Sequence, residues 1–421
     1  MRPPLTGTPL DLARAGLDSC VHCGFCLQSC PTYLALDDEN DSPRGRLLLM
    51  RSMLDGALAA DDADGRSHFD KCLGCRACET ACPSGVPYGH LLEATRATLT
   101  KIRPLPLAAR LILWVFAHPF LMRAAMSVGR VARSLRVSAA LAAILPRRWG
   151  APFRMLEATR PVFTASYRAS PSVTRETFAL LTGCVMDGLY ERTNAATSRT
   201  LRVNGYIECA AGGQACCGAL HAHAGDLAAA RRMAKRNIVA FEDSGAEFVV
   251  SNAAGCGAML KEYGHLLQDD AAWAHLAARI AHRARDVTEL LAAAGPARGA
   301  RVEARVTYDA PCHLVHAQRI TEPPLKVLGA IPGLTLVPLA DSDQCCGAAG
   351  IYNLLEPATS DAVLEPKLAK IAETRAEFVA TGNPGCLMQI GAGLRREGMA
   401  ARAVHPVELL DEAYGRLVAG D

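Results

Sequence analysis

Cys20-Val-His-Cys23-Gly-Phe-Cys26-Leu-Gln-Ser-Cys30-Pro31 returns 52 residues later as Cys72-Leu-Gly-Cys75-Arg-Ala-Cys78-Glu-Thr-Ala-Cys82-Pro83. Each stretch is a full C-x2-C-x2-C-x3-C-P run, the spacing with which bacterial chains hold [4Fe–4S] clusters. Three thiolates at two-residue intervals can wrap one corner of a small inorganic cube. The fourth has to come from a distance, because the chain cannot turn tightly enough to reach the far iron. In two-cluster proteins that fourth cysteine serves the other cluster. The predicted ligand sets are therefore Cys20, Cys23, Cys26 and Cys82 for one cluster, and Cys72, Cys75, Cys78 and Cys30 for the other. Structural zinc favours paired C-x2-C arms across a loop, not three intervals and a proline stop. The proline after each fourth cysteine is expected to turn the backbone away. Two clusters in so short a segment would pass single electrons, so the segment reads as a wire that needs a donor and an acceptor.

Cys30 and Cys72 are 42 residues apart, and helix-like Gly45-Arg-Leu-Leu-Leu-Met-Arg-Ser-Met-Leu54 lies between them. A compact β ferredoxin has no room for that insert, so residues 1–100 are expected to form an α-helical ferredoxin-type domain. Arg44 and Arg46, in Ser42-Pro-Arg-Gly-Arg46, either offset cluster charge or are solvated residues of a helix-entry loop. The whole chain has 421 residues, half of them hydrophobic, which is enough for two or three domains. Its net charge of +3 gives no argument for nucleic acid. Seventeen cysteines in a chain this long, behind an N-terminus carrying Asp11, Arg14 and Asp18 and no apolar leader, point to reduced cytoplasmic thiols and metal ligation.

The stretch 101–170 has no cysteine, and from Ala94 to Met155 there is no Asp or Glu, while Arg110, Arg123, Arg130, Arg133 and Arg136 recur among apolar residues. The apolar run Leu111–Met122 is twelve residues long, against roughly 20 needed to span a bilayer. This segment reads as a basic amphipathic helical linker with two possible uses: contact with the inner face of an anionic membrane, or packing against a partner.

The remainder is a duplication. Cys184 recurs as Cys312, Cys216-Cys-Gly-Ala219 as Cys345-Cys-Gly-Ala348, and Ala246-Glu-Phe-Val249…Cys256 as Ala376-Glu-Phe-Val379…Cys386, at offsets of 128, 129 and 130. Val287-Thr-Glu-Leu-Leu291 and Pro406-Val-Glu-Leu-Leu410 close the copies at an offset of 119. Short apolar runs at Phe178–Leu181, Phe248–Val250, Val306–Tyr308 and Phe378–Ala380, with helical stretches such as Asp226–Phe241 and Pro366–Arg375, predict two α/β lobes over 171–300 and 301–421. They are expected to pack face to face. Each repeat supplies four thiols, Cys184, Cys216, Cys217 and Cys256 or Cys312, Cys345, Cys346 and Cys386, suited to a cluster, a zinc ion, or a metal-free repeat kept for shape. Cys209, unmatched in the second copy, is expected to be a buried free thiol. His221, His223, His313 and His316 are candidate supporting donors or ligands.

Two ferredoxin-type motifs followed by two Cys-Cys-Gly repeats resemble the iron–sulfur subunit of glycolate oxidase over nearly the whole chain. Ser42-Pro-Arg-Gly-Arg46, Cys72-Leu-Gly-Cys75, Asp309-Ala-Pro-Cys-His313, Cys345-Cys-Gly347 and His405-Pro-Val-Glu-Leu-Leu410 carry the likeness. The subunits of anaerobic glycerol-3-phosphate dehydrogenase and heterodisulfide reductase share the repeats and are the alternatives, the latter implying thiol–disulfide chemistry at the repeat cysteines. The fuller repeat pattern ends in C-x2-C, whereas this chain has Cys256-Gly-Ala-Met259 and Cys386-Leu-Met-Gln389, so one thiol per repeat is missing. The resemblance implies an electron-transfer subunit with two [4Fe–4S] clusters. It also implies FAD on a partner subunit where glycolate becomes glyoxylate, and a quinone or other membrane acceptor. The chain itself has no Gly-x-Gly-x-x-Gly fingerprint, no P-loop and no catalytic triad, so no catalytic residue is assigned.

Overall fold

A computed structural model describes residues 5–168 and 173–419. The chain combines helices with two parallel sheets, in the order expected. The N-terminal part, through the helix Tyr88–Ile102, has no strand among its described residues. Its core is Leu10, Leu17, Leu47, Met50, Met53, Phe69, Tyr88, Leu91 and Leu92, contributed by short helices around the two cysteine runs. The Ser42-Pro-Arg-Gly-Arg motif is a helix start. Ser42 accepts a hydrogen bond from the Gly45 N–H, and Pro43 takes the first helical position, where a missing N–H costs nothing. Gly45 has a steric reason: a Cβ there would stand 2.0 Å from the Glu39 carbonyl oxygen.

Helices Leu107–Ala117, Pro119–Ser134, Val137–Ile144 and Arg147–Ala158 follow. The first sheet contains β1 (Thr177–Leu180), β2 (Ile207–Glu208), β3 (Phe248–Ser251) and β4 (Ala284–Asp286) in the order β2-β1-β3-β4. The second contains β5 (Ala304–Tyr308), β6 (Leu334–Val337), β7 (Phe378–Ala380) and β8 (Arg402–Val404) in the order β6-β5-β7-β8. All six pairings are parallel, and the two topologies are identical, as a duplication requires.

The sheets share one core. Phe178, Leu180, Val250 and Leu291 of the first repeat lie in the same hydrophobic cluster as Val306, Tyr308, Val404 and Leu409 of the second. Polar ties cross the same junction: Arg199 holds Asp411 through two hydrogen bonds (2.9 and 2.5 Å), and Ala254 N–H donates to the Gly382 carbonyl at 3.0 Å.

Three local readings need correction. Pro31 does not turn the chain away; with Cys30 as its cap it opens the helix Pro31–Leu36, the other position that suits proline. The helix expected from Pro366 begins at Pro357 and runs through Pro366 to Thr374. Burial of Val363, Leu364, Leu368 and Ile371 outweighs the one missing backbone hydrogen bond. Cys209 is half-buried rather than buried, because it follows β2, whose two residues are exposed at the sheet edge.

Candidate iron–sulfur centres and the cavity between the repeats

Each N-terminal run folds as an open loop with two left-handed residues in matching places. His22 (φ 53°) and Gly24 (φ 87°) follow Cys20, as Gly74 (φ 62°) and Arg76 (φ 65°) follow Cys72. Such backbone is uncommon outside glycine, and here it coils three successive thiols toward one side. Cys20, Cys23, Cys26, Cys78 and Cys82 line one cavity with apolar walls. Burial pushes the Cys26 thiol up to about 11, against a backbone hydrogen bond from Arg44.

The second set is deeper. Burial, then the neighbouring thiols, raise Cys75 and Cys78 well above the usual value, and Cys30 and Cys72 are among those neighbours for both. Burial also opposes ionisation of Cys72, yet Arg46 and Arg96 outweigh it and hold that thiol below its ordinary value. Arg46 is fully buried, donating to the His68 carbonyl (2.6 Å) and the Thr32 hydroxyl (3.1 Å), while Arg44 sits half-exposed on Glu39. Of the two arginines, Arg46 is the one set to offset thiolate charge. A crowd of buried thiols that resist ionisation singly is what a cluster with its own positive irons relieves, so the donor chemistry fits. The only other close ligand-type group among the described residues, Asp38, Asp41 and His68, is an ion-pair hub, since Asp41 already serves Arg46, His68 and Lys71.

In the repeats, every cysteine of the two sets follows the carboxyl end of a strand. Cys184 and Cys256 come after β1 and β3, flanking the point where strand order reverses, and Cys312 and Cys386 after β5 and β7. The Cys-Cys pairs follow β2 and β6. All eight thiols line one largely apolar cavity of about 440 Å3 between the repeats, together with Leu73, His223, His313, Phe116 and Met126. Within the sets, Cys184 and Cys216 Sγ are 3.5 Å apart, and Cys312 and Cys345 Sγ 4.0 Å. Among the described residues no three thiols come within 4.8 Å of one another, whereas a tetrahedral zinc would hold all four about 3.8 Å apart. Each set is thus one close pair with two further thiols lining the same cavity. One thiol of each adjacent pair is held well below its usual value: Cys216 by hydrogen bonds with Cys184 and Cys217, and Cys346 by those with Cys345 and Cys386.

The four candidate histidines divide. His223 and His313 face the cavity edge to face at 5.3 Å, and His313 is pushed down to about 4 by burial and by His223. His221 reaches the Leu113 carbonyl (3.0 Å) and His316 the Asp343 carbonyl (3.1 Å), so these two tie loops together. Two supports escaped sequence reasoning. Asn237 donates to the Cys216 carbonyl (3.0 Å) and accepts from the Ala215 N–H (2.7 Å), fixing the first Cys-Cys loop. At the same register in the second repeat, 130 residues on, buried Lys367 donates to Asp309 (2.6 Å) and the Ser342 carbonyl (3.1 Å).

The ferredoxin-type domain docks through the loop that carries its second run. Gly74 O bonds His313 Nε2 (3.0 Å), Tyr352 O–H donates to Lys71 O (2.8 Å), and Arg76 pairs with Glu262 (2.7 Å). Leu73 and Cys75 consequently share a hydrophobic cluster with Cys345, against which Cys312 packs.

Residues 16–86 match the family described as 4Fe-4S dicluster domain, and residues 178–261 and 306–391 that described as Cysteine-rich domain. A probable glycolate oxidase iron–sulfur subunit of Bacillus subtilis (strain 168) is 38% identical over 417 residues, covering 94% of each chain. The glycolate oxidase iron–sulfur subunit of Escherichia coli (strain K12) is 34% identical over 406 residues, again 94% of each. The chain belongs to the family of glycolate oxidase iron–sulfur subunits. A shorter relative, lactate utilization protein A of Oceanobacillus iheyensis, is 32% identical over 236 residues, 55% of this chain and 96% of its own. Membership makes this an iron–sulfur protein with an electron-transfer role in an oxidoreductase complex, and this chain carries both cysteine modules described above.

Proposed function

We propose that this chain relays electrons from an FAD-bearing subunit, where a 2-hydroxy acid such as glycolate is oxidised, to a quinone or other membrane acceptor. Oxidation of glycolate to glyoxylate releases two electrons and two protons on the partner, and the two electrons leave it singly. Cys20, Cys23, Cys26 and Cys82 would hold one [4Fe–4S] cluster, and Cys72, Cys75, Cys78 and Cys30 the other. Bound there, the clusters supply one-electron chemistry. The chain's own residues do the rest: Arg46 balances charge, Phe69 and Tyr88 help keep water out, and the Gly74–His313 contact fixes the domain on the repeats. The observation that carries the reading is Cys75 packed in one hydrophobic cluster with Cys345 and Cys312, which sets the second N-terminal run beside the thiols of the inter-repeat cavity.

Purified anaerobically and reduced, the chain should show cluster EPR signals and oxidise no glycolate. Adding the flavoprotein subunits should give glycolate-dependent dye reduction. Turnover of a disulfide by the chain alone would replace this reading with a thiol–disulfide reductase. About eight irons per chain would mean that only the N-terminal sets are loaded, and about twelve or more that the repeat thiols bind clusters as well.

A further inference from the structure

The helices Leu107–Ala117 and Pro119–Ser134 use one side each within the molecule. Leu113 and Met122 are buried, and Phe116 and Met126 wall the thiol cavity. Their other sides are apolar and uncovered. Leu107, Leu111 and Trp114 recur at four- and three-residue intervals on the first helix, and Phe120, Val128, Val131 and Leu135 continue the pattern on and just past the second. Phe120 is 82% exposed, Leu107 77% and Leu135 70%, values far from those of a packed surface. Val137 and Ile144 extend the exposed set along the next helix.

Charge identifies the occupant. Arg110 beside Leu111, and Arg136 beside Leu135, are exposed and have no acidic partner among the described residues, whereas Arg123 and Arg130 are ion-paired with Asp187 and Glu191. The segment itself contributes no carboxylate from Ala94 to Leu156. Neither helix can cross a bilayer: at 1.5 Å per residue they are about 16 and 24 Å long against roughly 30 Å of hydrocarbon. The pair is also bent by 104°. A bend excludes one straight span but not two helices lying in a common plane. Large exposed apolar side chains, unpaired arginines beside them and an exposed tryptophan are the chemistry of a helix pair resting in a lipid interface.

We infer that residues 107–144 dock this chain in-plane on an anionic lipid surface, with Leu107, Leu111, Trp114, Phe120, Val128 and Leu135 entering the acyl boundary. The inference deepens the relay reading by placing its acceptor side, yet it stands on surface chemistry and needs no cluster.

The full chain would be sedimented with vesicles of phosphatidylcholine alone and of phosphatidylcholine with phosphatidylglycerol (7:3). Capture by the anionic vesicles should exceed capture by the neutral ones at least tenfold and weaken in 0.5 M salt. Tryptophan emission should shift to the blue, and lose that shift in Trp114→Phe. The double variant Phe120→Glu/Val128→Glu, altered only at exposed positions, should lower capture at least tenfold with iron content and visible spectrum unchanged. Absence of anionic capture, or capture that the double variant leaves intact, overturns the inference. So does a double variant that still binds vesicles but no longer binds the flavoprotein subunits, since the stripe would then be a protein interface. Failure of the relay reading would appear instead as an iron-poor chain or absent glycolate-dependent dye reduction, neither of which bears on vesicle capture.

Discussion

Lys367 and Asp309 meet at 2.6 Å with side chains only 4% and 2% exposed, directly beneath the second Cys-Cys loop. Burial and this pairing act against each other on both groups, and neither charge has water to fall back on. Removing one partner strands the other, so Lys367→Met is expected to cost about 3–5 kcal/mol in anaerobic urea unfolding, while Asp309→Leu/Lys367→Met recovers most of the loss. The first repeat motivates the double variant, since Leu181 is buried at the position matching Asp309. A single variant as stable as the double would show that the pair carries little. Only half of this was legible in the sequence. Asp309 stands out within Asp309-Ala-Pro-Cys-His313, but Lys367 lies 58 residues away in a helix with no motif of its own. Arg46 is similar: its place in Ser42-Pro-Arg-Gly-Arg46 could be read, whereas its burial beside Cys30 and Cys72 follows from packing against His68 and Thr32.

The two closing helices show the duplication at the level of elements. Asp286 caps Val287–Ala294 by accepting from the Thr288 N–H, and Glu289 reaches back to the Asp286 N–H at 2.8 Å. In the second copy His405 takes the cap, its Nδ1 accepting from the Val407 N–H (3.1 Å), and Glu408 reaches back to the His405 N–H at 3.0 Å. The other ring nitrogen donates to the Asn252 carbonyl (2.9 Å), so one neutral imidazole caps a helix and latches the repeats together. Burial lowers its pKa to about 4, against an ordinary value of 6.5. Between those values the unfolded chain binds the proton and the folded chain does not. This contribution is therefore complete above pH 6.5 and lost as the pH falls toward 4, by about 3 kcal/mol in all. His405→Gln should flatten the fall in stability between pH 7 and 4.5; equal slopes for the two proteins would remove the latch from the account. The repeated Glu-Leu-Leu pattern could be read from the sequence directly, and the four inner strands, β1, β3, β5 and β7, because they are apolar and end at a cysteine loop. Edge strands β2, β4, β6 and β8 are two to four residues long and partly exposed, and leave no periodic trace.

For the whole molecule, the most consequential expectation is that the two N-terminal runs exchange their fourth ligands. Cys30 neighbours Cys75 and Cys78 as well as Cys26, and Cys82 shares a cavity with Cys20, Cys23, Cys26 and Cys78. If the sets are crossed in this way, Cys20 and Cys82 serve the same cluster, so Cys20→Ser/Cys82→Ser should lose no more iron than either single variant, about four atoms per chain. If each run instead holds its own cluster, the double variant should lose about eight. Anaerobic iron and acid-labile sulfide counts distinguish the two results without any assay of turnover. The reciprocal pair, Cys30→Ser/Cys75→Ser, should remove the cluster beside Cys312 and Cys345. In the assembled complex that variant should abolish electron delivery to the repeats while the cluster of the first run stays spectroscopically visible. Crossing also gives the docking geometry a physical reason. A cluster closed by Cys30 as well as Cys72, Cys75 and Cys78 ties the first run to the loop that His313 and Tyr352 hold against the second repeat. Loss of that one cluster should therefore loosen both the N-terminal domain and its seat on the repeats, giving faster amide exchange at Gly74 and Lys71 than the Cys20→Ser variant shows.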